Sequence, residues 1–318
     1  MSEQSPKPVV VAVGNDPVDS ALEYAAAEAL RQGCGLHVLH AIHVTPTGPE
    51  LVLLDFAEIE QIGHATLHAA MERAEDLLQG RVPLTSSLVR GPVVQSILEA
   101  TEDARLVVLQ RRDLSRMIRT VTRSTSSGVA AHAHVPVVSV PTGWSESNHD
   151  GGLQQVVTVG VDIPERSAAV LAVAAGAARS RGARLHMLHT WWFPSVYDDI
   201  IMSRVENDAW AEHAREEIQG VLDGLGDVVA DLPVEVEARH AHPADALIDA
   251  GRGSVLLVVG RHDPLVPVGS HLGPVARAVL REATCPVMLA NPTHAHRVNP
   301  TTHHGSSSSS APEPFVSF

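Results

Sequence analysis

Apolar positions along the chain fall into short, nearly unbroken runs, separated by longer stretches in which they recur at helical spacing. The runs Val9–Val13, Leu106–Leu109, Val156–Val161 and Val255–Val259 are aliphatic and rich in β-branched residues. Such runs predict strands buried on both faces of a parallel sheet. Between them, the Ala-rich stretches 20–32 and 167–181 predict helices, and each is followed by a Gly-bearing turn and a further strand, 36–42 and 185–190. A long helix is expected over 56–79, with Ile59, Ile62, Met71, Ala74 and Leu78 forming its apolar stripe and Gly80 stopping it. Third strands are expected at 84–89 and 234–238, and closing strands at 135–140 and 286–290. Strands alternating with helices imply right-handed crossovers and a mostly parallel sheet.

The pattern is written twice. GLHVLHA at Gly35–Ala41 matches RLHMLHT at Arg184–Thr190, an offset of 149. SILEA at Ser96–Ala100 matches ALIDA at Ala246–Ala250, LVVL at Leu106–Leu109 matches LLVV at Leu256–Val259, and VPV at Val135–Val137 matches CPV at Cys285–Val287, all offset by 150. A fixed long period of this kind marks a duplicated unit. The expected organisation is one α/β domain over residues 1–143, a polar Gly/Ser-rich linker at Gly143–Gly152, and a second domain over 153–291. Residues 292–318, with four histidines and a run of serines, read as a disordered low-complexity tail.

Composition narrows the setting. Of 318 residues 44% are hydrophobic but only 3% aromatic, which suits aliphatic α/β cores. A formal charge of −14 argues against non-specific binding to nucleic acid or anionic membranes. Two cysteines, Cys34 and Cys285, are too few for a disulfide framework. No basic segment followed by an apolar run opens the chain and no stretch approaches the roughly 20 apolar residues of a membrane helix, so a cytoplasmic protein is expected.

The chemistry concentrates in Leu256–Leu289. A buried strand ends at Gly260, and a loop carrying Asp263, Gly269 and Gly273 runs into a helix whose first turn accommodates Pro274. Val275, Ala278, Val279 and Ala283 are its expected apolar face. Small residues between a strand and a helix N-terminus let backbone N–H groups approach an anion. This module resembles the nucleotide loop of the universal stress protein family: Gly, two residues, Gly, nine residues, Gly, then Ser or Thr. Gly260 and Gly273 match the first and third glycines, while Asp263 and Pro274 replace the second glycine and the hydroxyl.

The resemblance implies two doubly wound domains, each with five strands in the order 3-2-1-4-5. It also implies a non-catalytic stress or dormancy regulator that binds ATP or another adenine nucleotide and acts on an unidentified protein partner. Ligands of such sheets sit beyond the strand ends where the order reverses, here between the first and fourth strands. The implied ligand-binding residues of the second copy are Asp162, Gly260, Arg261, Gly269, Gly273 and Val275. Asp162 can accept from ribose hydroxyls, help hold a metal or cap the next helix. Arg261 and a protonated His262 can supply positive charge beside the phosphates, Arg261 otherwise standing as a solvated loop charge. Ile163-Pro164 stand where the family has Gly-Ser.

The first copy has Gln110 against Gly260 and Arg123 against Gly273, keeping only the hydroxyl at Ser124. Its first loop is expected to be about three residues shorter. Asp16 or Val13 then stands opposite Asp162, depending on whether the strand or the helix is aligned. The cluster Arg111, Arg112, Arg116, Arg119 and Arg123 can bind an anion or form a solvated face. His37/His40 and His186/His189, three apart on strands, face opposite sides and suit no metal; His64 and His68 lack the carboxylates of a metal site. GxxxxGKS/T, a Ser-Gly-Gly-x-Asp loop and a nucleophile–base pair are all missing, which argues against an enzyme. The closing strands would each leave an apolar edge bare, so the copies are expected to pack as an internal pseudo-dimer, with further homodimerisation left open.

Overall fold

The computed structural model describes residues 6–14, 18–42, 56–111, 125–146, 155–192, 207–261 and 272–290. The first copy contains β1 (Val9–Val13), α1 (Asp19–Gln32), β2 (Leu36–Ile42), α2 (Phe56–Leu78), β3 (Leu84–Arg90), α3 (Val93–Ala100), β4 (Leu106–Arg111), α4 (Thr125–His132) and β5 (Val137–Pro141). The second contains β6 (Val156–Val161), α5 (Ala168–Arg181), β7 (Arg184–Trp191), α6 (Asn207–Leu225), β8 (Val234–His240), α7 (Pro243–Gly251), β9 (Leu256–Gly260), α8 (Pro274–Glu282) and β10 (Val287–Ala290).

All ten strands form one sheet in the order β3-β2-β1-β4-β5-β10-β9-β6-β7-β8. Within each copy the pairs are parallel and follow 3-2-1-4-5. The seam is antiparallel, with Val287 opposite Ser139, Met288 opposite Val138 and Leu289 opposite Val137. The two closing strands thus satisfy each other's edges, as their apolar character demands. β5 and β10 at the seam are buried along their length, whereas β3 and β8 at the outer ends are largely half-buried or exposed and carry hydroxyls or glutamates.

Two apolar layers flank the sheet. Val9, Val11, Leu36, Val38, Val157, Val159 and Leu185 pack under α1, α2, α5 and α6. Val10, Leu39, Val107, Leu257 and Val259 pack under the shorter helices. In α2 the core contacts are Leu67, Ala70, Ala74 and Leu78, while Ile62, placed on the apolar stripe by its spacing, is 50% exposed. A helix turns about 100° per residue, and Ile62 falls just off the face that Gly63 presses against Ile42 and Leu88. In α8 the fully buried positions are Ala276, Val279 and Leu280, with Val275 half-buried against the same layer. Helices α1 and α5 both end on a left-handed glycine, Gly33 (φ 58°) and Gly182 (φ 61°), where a side chain would be strained.

The start of the polar linker is not a free tether. Trp144 is buried against Tyr24, ring centroids 5.3 Å apart, and Ser145 Oγ and the Glu146 N–H donate to Glu23 at 2.7 and 2.9 Å. The predicted tail, 292–318, lies outside the described residues.

Candidate functional site

The strand order reverses between β1 and β4 in the first copy and between β6 and β9 in the second, so each copy has a crevice above those strand ends. The second is bounded by Asp162 at the end of β6, Gly260 at the end of β9 and Gly273 at the start of α8. Asp162 is half-buried beside His189, whose Nδ1 donates to the Val161 carbonyl at 2.9 Å. Burial holds His189 below the usual imidazole range despite that carbonyl and Glu217, leaving neutral Nε2 as an acceptor. His189 lies against Trp191 (6.4 Å), and Trp192 against His242 (5.2 Å), at the same end of the sheet. Sequence reasoning passed over Trp191, Trp192 and His242; the adjacent tryptophans at the close of β7 were the available signal.

Gly273 is the N-cap of α8 with φ −67° and ψ 168°, an extended conformation open to any residue. Its lack of a side chain therefore answers no backbone strain, and Pro274 follows at the first helical position. Gly260 has a packing reason to be glycine, since a Cβ there would meet Val170 Cγ2 at 3.2 Å. Gly269, Asp263 and His262 lie outside the described residues.

Arg261 departs from its expected role. Its guanidinium turns away from the crevice and crosses the seam, where Nη1 donates to the Ala133 carbonyl and Nη2 to the Val135 carbonyl at 2.7 Å. It is 8% exposed, and burial pushes its pKa down to about 10. Arg111, at the same place in the first copy, returns the contact: Nη1 donates to the Leu280 carbonyl at 3.1 Å and Nη2 to the Ala283 carbonyl. Both guanidiniums are engaged by carbonyls of the other copy, because the fourth strand's end lies close to the seam. The remaining arginines of that cluster, and Ser124, lie outside the described residues.

The sheet register corrects the alignment of the first loops. Val13 pairs with His40 and Val161 with His189, and the two histidines are equivalent, so Gly14 stands opposite Asp162. Neither Asp16 nor Val13 does. The offset is 148 on the strand (161 − 13) and 149 at the helix-ending glycines (182 − 33), so the first loop is one residue shorter rather than about three.

Gln110 closes the first crevice from within. Its Oε1 accepts from the Ala21 N–H at 2.9 Å, in the first turn of α1, and its Nε2 donates to Thr142 Oγ1 at 3.3 Å. Thr142 donates in turn to the Arg111 carbonyl at 2.8 Å. A side-chain carboxamide thus occupies a helix N-terminal donor that an anion would otherwise use. Equivalent positions in the second copy are Gly260 and Val170, so a large–small pair became a small–large one.

The strand histidines fill structural roles. His40 Nδ1 donates to the Val13 carbonyl at 2.9 Å. His37 bonds Thr85 and Ser87, and His186 bonds Thr158 and Glu237. Among the described residues no group of three His, Cys, Asp or Glu side chains could hold a metal, and no helix is long and apolar enough to cross a membrane.

Comparison with known proteins agrees with this geometry. The universal stress protein family model matches residues 6–141 and again 155–291. A universal stress protein of Mycobacterium tuberculosis strain H37Rv is 26% identical over 308 residues, covering 91% of this chain and 96% of its own. One from Mycolicibacterium smegmatis is 28% identical over 280 residues, covering 86% and 93%. Among solved structures, a universal stress protein from Archaeoglobus fulgidus superposes with a TM-score of 0.65 at 17% identity, over 90% of this chain and 97% of that one.

Proposed function

Because this chain belongs to the universal stress protein family, with two copies of the family domain in tandem, we propose that it is a non-catalytic regulator holding one adenine nucleotide in its second copy. The observation that carries the reading is the contrast between the crevices. In the first, Gln110 takes the α1 amide for itself. In the second, Gly260 and Gly273 flank the crevice without side chains. Asp162 accepts from the ribose hydroxyls, and the chain from Gly260 through Gly269 to Gly273 carries the phosphates on backbone N–H groups. Val275, in the first turn of α8, completes the proposed binding set.

A second reading, a protein-interaction module that needs no nucleotide, draws support from Arg261. With its guanidinium engaged across the seam, and with Pro274 offering no N–H, the phosphate end lacks two groups it would otherwise use. Each hydrogen bond to a charged group contributes about 1.5–3 kcal/mol, so the expected affinity is about micromolar or weaker.

Calorimetry with ATP and with AMP separates the readings. One site per chain is expected, lost in Gly273→Val and kept in Ser124→Val. Two equal sites, or the absence of both titratable binding and nucleotide in natively purified protein, would overturn it.

A further inference from the structure

Among the described residues three hydrogen-bonded devices join the copies, and two of them are symmetric. The β5–β10 pair is made of backbone, and the arginine exchange places Arg111 on Ala283 and Arg261 on Ala133, positions 150 apart in both donor and acceptor. Either device would serve two first copies or two second copies equally well.

The third device is not symmetric. Where α1 meets α5, Arg181 of the second copy reaches into the first, donating to Tyr24 Oη at 2.7 Å and to Glu28 Oε2 at 2.6 Å. The side chains of Arg181 and Glu28 are 4% and 1% exposed. Burial alone would raise the Glu28 pKa, but Arg181 and Arg31 outweigh it and hold the carboxyl below the usual range. The Arg181 guanidinium lies 5.6 Å from the centre of the Tyr24 ring. Arg31 bonds Glu28 at 3.1 Å and Glu146 at 2.5 Å, so one arginine is shared inside the first copy and the other comes from the second.

Gly33 and Gly182 fix the equivalence at an offset of 149. On it, Tyr24 corresponds to Val173, Glu28 to Ala177 and Gln32 to Arg181. Two second copies would bury Arg181 against Val173 and Ala177, with the Ala177 carbonyl and Ser180 Oγ of its own helix as acceptors but no carboxylate for its charge. Two first copies would bring Gln32 to Tyr24 and Glu28, leaving the buried carboxylate only Arg31, which it already shares with Glu146. An uncompensated buried charge costs far more than a missing surface pair.

We infer that the α1–α5 contact is a pairing code: the surface built by Tyr24 and Glu28 selects a second-copy domain as its partner and rejects its own kind. The partner it fits is a helix presenting an arginine at the position of Arg181, inside the same chain or on another copy of it. This conclusion is independent of whether nucleotide binds.

The test uses the full chain with a protease site between Gly151 and Gly152, cleaved, unfolded in denaturant and returned to buffer. Native mass spectrometry on a mixture of isotope-labelled and unlabelled preparations counts the pairs. First–second pairs alone are expected, labelled and unlabelled halves mixing freely. In Arg181→Gln, which gives the second copy the first copy's residue, first–second affinity is expected to fall about a hundredfold or more, and second–second pairs to appear. Homotypic pairs in random proportion in the unsubstituted protein, halves that return without pairing, or a pair distribution unmoved by Arg181→Gln would each overturn the inference. The unsubstituted distribution needs no variant, so a failure of Arg181→Gln to fold leaves the test standing.

Discussion

Arg261 of the second copy donates to the Val135 carbonyl of the first at 2.7 Å, which makes a residue that the family resemblance implies as a ligand contact into a fastener of the domain seam. Its pseudo-symmetric counterpart, Arg111, donates to Leu280 and Ala283. The carbonyls they reach sit where α4 and α8 run out into the closing strands, and carbonyls at helix C-termini favour cations.

Removal of Arg261 should therefore weaken the fold more than the site. Arg261→Ala loses two charge-assisted hydrogen bonds and leaves buried carbonyls, an expected cost of about 2–4 kcal/mol in denaturant unfolding. Nucleotide affinity measured on the folded variant should stay within about threefold, less than one hydrogen bond to a charged group contributes. Affinity that collapses while stability holds would return Arg261 to the phosphates.

Gly260 and Val170 should behave as one unit. A methyl at 260 meets Val170 Cγ2 at 3.2 Å, so Gly260→Ala should cost about 1 kcal/mol through overpacking. Val170→Ala opens a small cavity and costs about as much. The double variant should recover part of the sum, with a coupling of about 1 kcal/mol in a double-mutant cycle. Simple additivity would show that the contact relaxes without cost.

Gln110 should matter to stability and not to binding. Gln110→Ala removes the acceptor for the Ala21 N–H and the link to Thr142, an expected loss of about 1 kcal/mol, as for a helix cap. Calorimetry should still give one nucleotide per chain, because the first copy also has Arg123 where the second has Gly273. A second site appearing would mean that the carboxamide alone blocks the first crevice.

Acid should destabilise the protein before its carboxylates titrate. Burial holds His37 and His189 below the ordinary histidine value of 6.5, so the unfolded chain takes up protons first as pH falls. Their contribution is present above 6.5 and is lost as pH falls from there through the lowered folded-state values. Urea midpoints should drop over that window, and less steeply in the His37→Gln/His189→Gln double variant. Histidine resonances of the folded protein that titrate at the ordinary value would remove the basis for this expectation.

Both thiols should be silent in the folded state. Cys34 and Cys285 are free and buried, and burial pushes the Cys285 pKa up to about 12, so little reactive thiolate forms at neutral pH. Aromatic disulfide reagents should modify them at the unfolding rate. Rapid labelling of either in native buffer would contradict the packing.

The repeat offsets, the unbroken aliphatic runs and the glycines ending α1 and α5 determined the duplicated α/β fold from sequence alone. These signals are local: a strand buried on both faces must be apolar throughout, and a helix that ends left-handed must end on glycine or something close to it. The pairing of β5 with β10 was legible for the same reason, since an apolar edge needs cover. Only the tertiary structure decided what stands opposite what. Gly14 is the equivalent of Asp162 because strand register, rather than similarity of residue type, sets equivalence between copies. Arg261 and Arg111 cross the seam because the carbonyls they reach lie about 130 and 170 residues away along the chain. Gln110 occupies the α1 amide, and Arg181 finds Glu28, by juxtapositions that no spacing along the chain encodes. A side chain's partner is set by the folded distance to competing donors and acceptors, and that distance exists only once the sheet has closed across its seam.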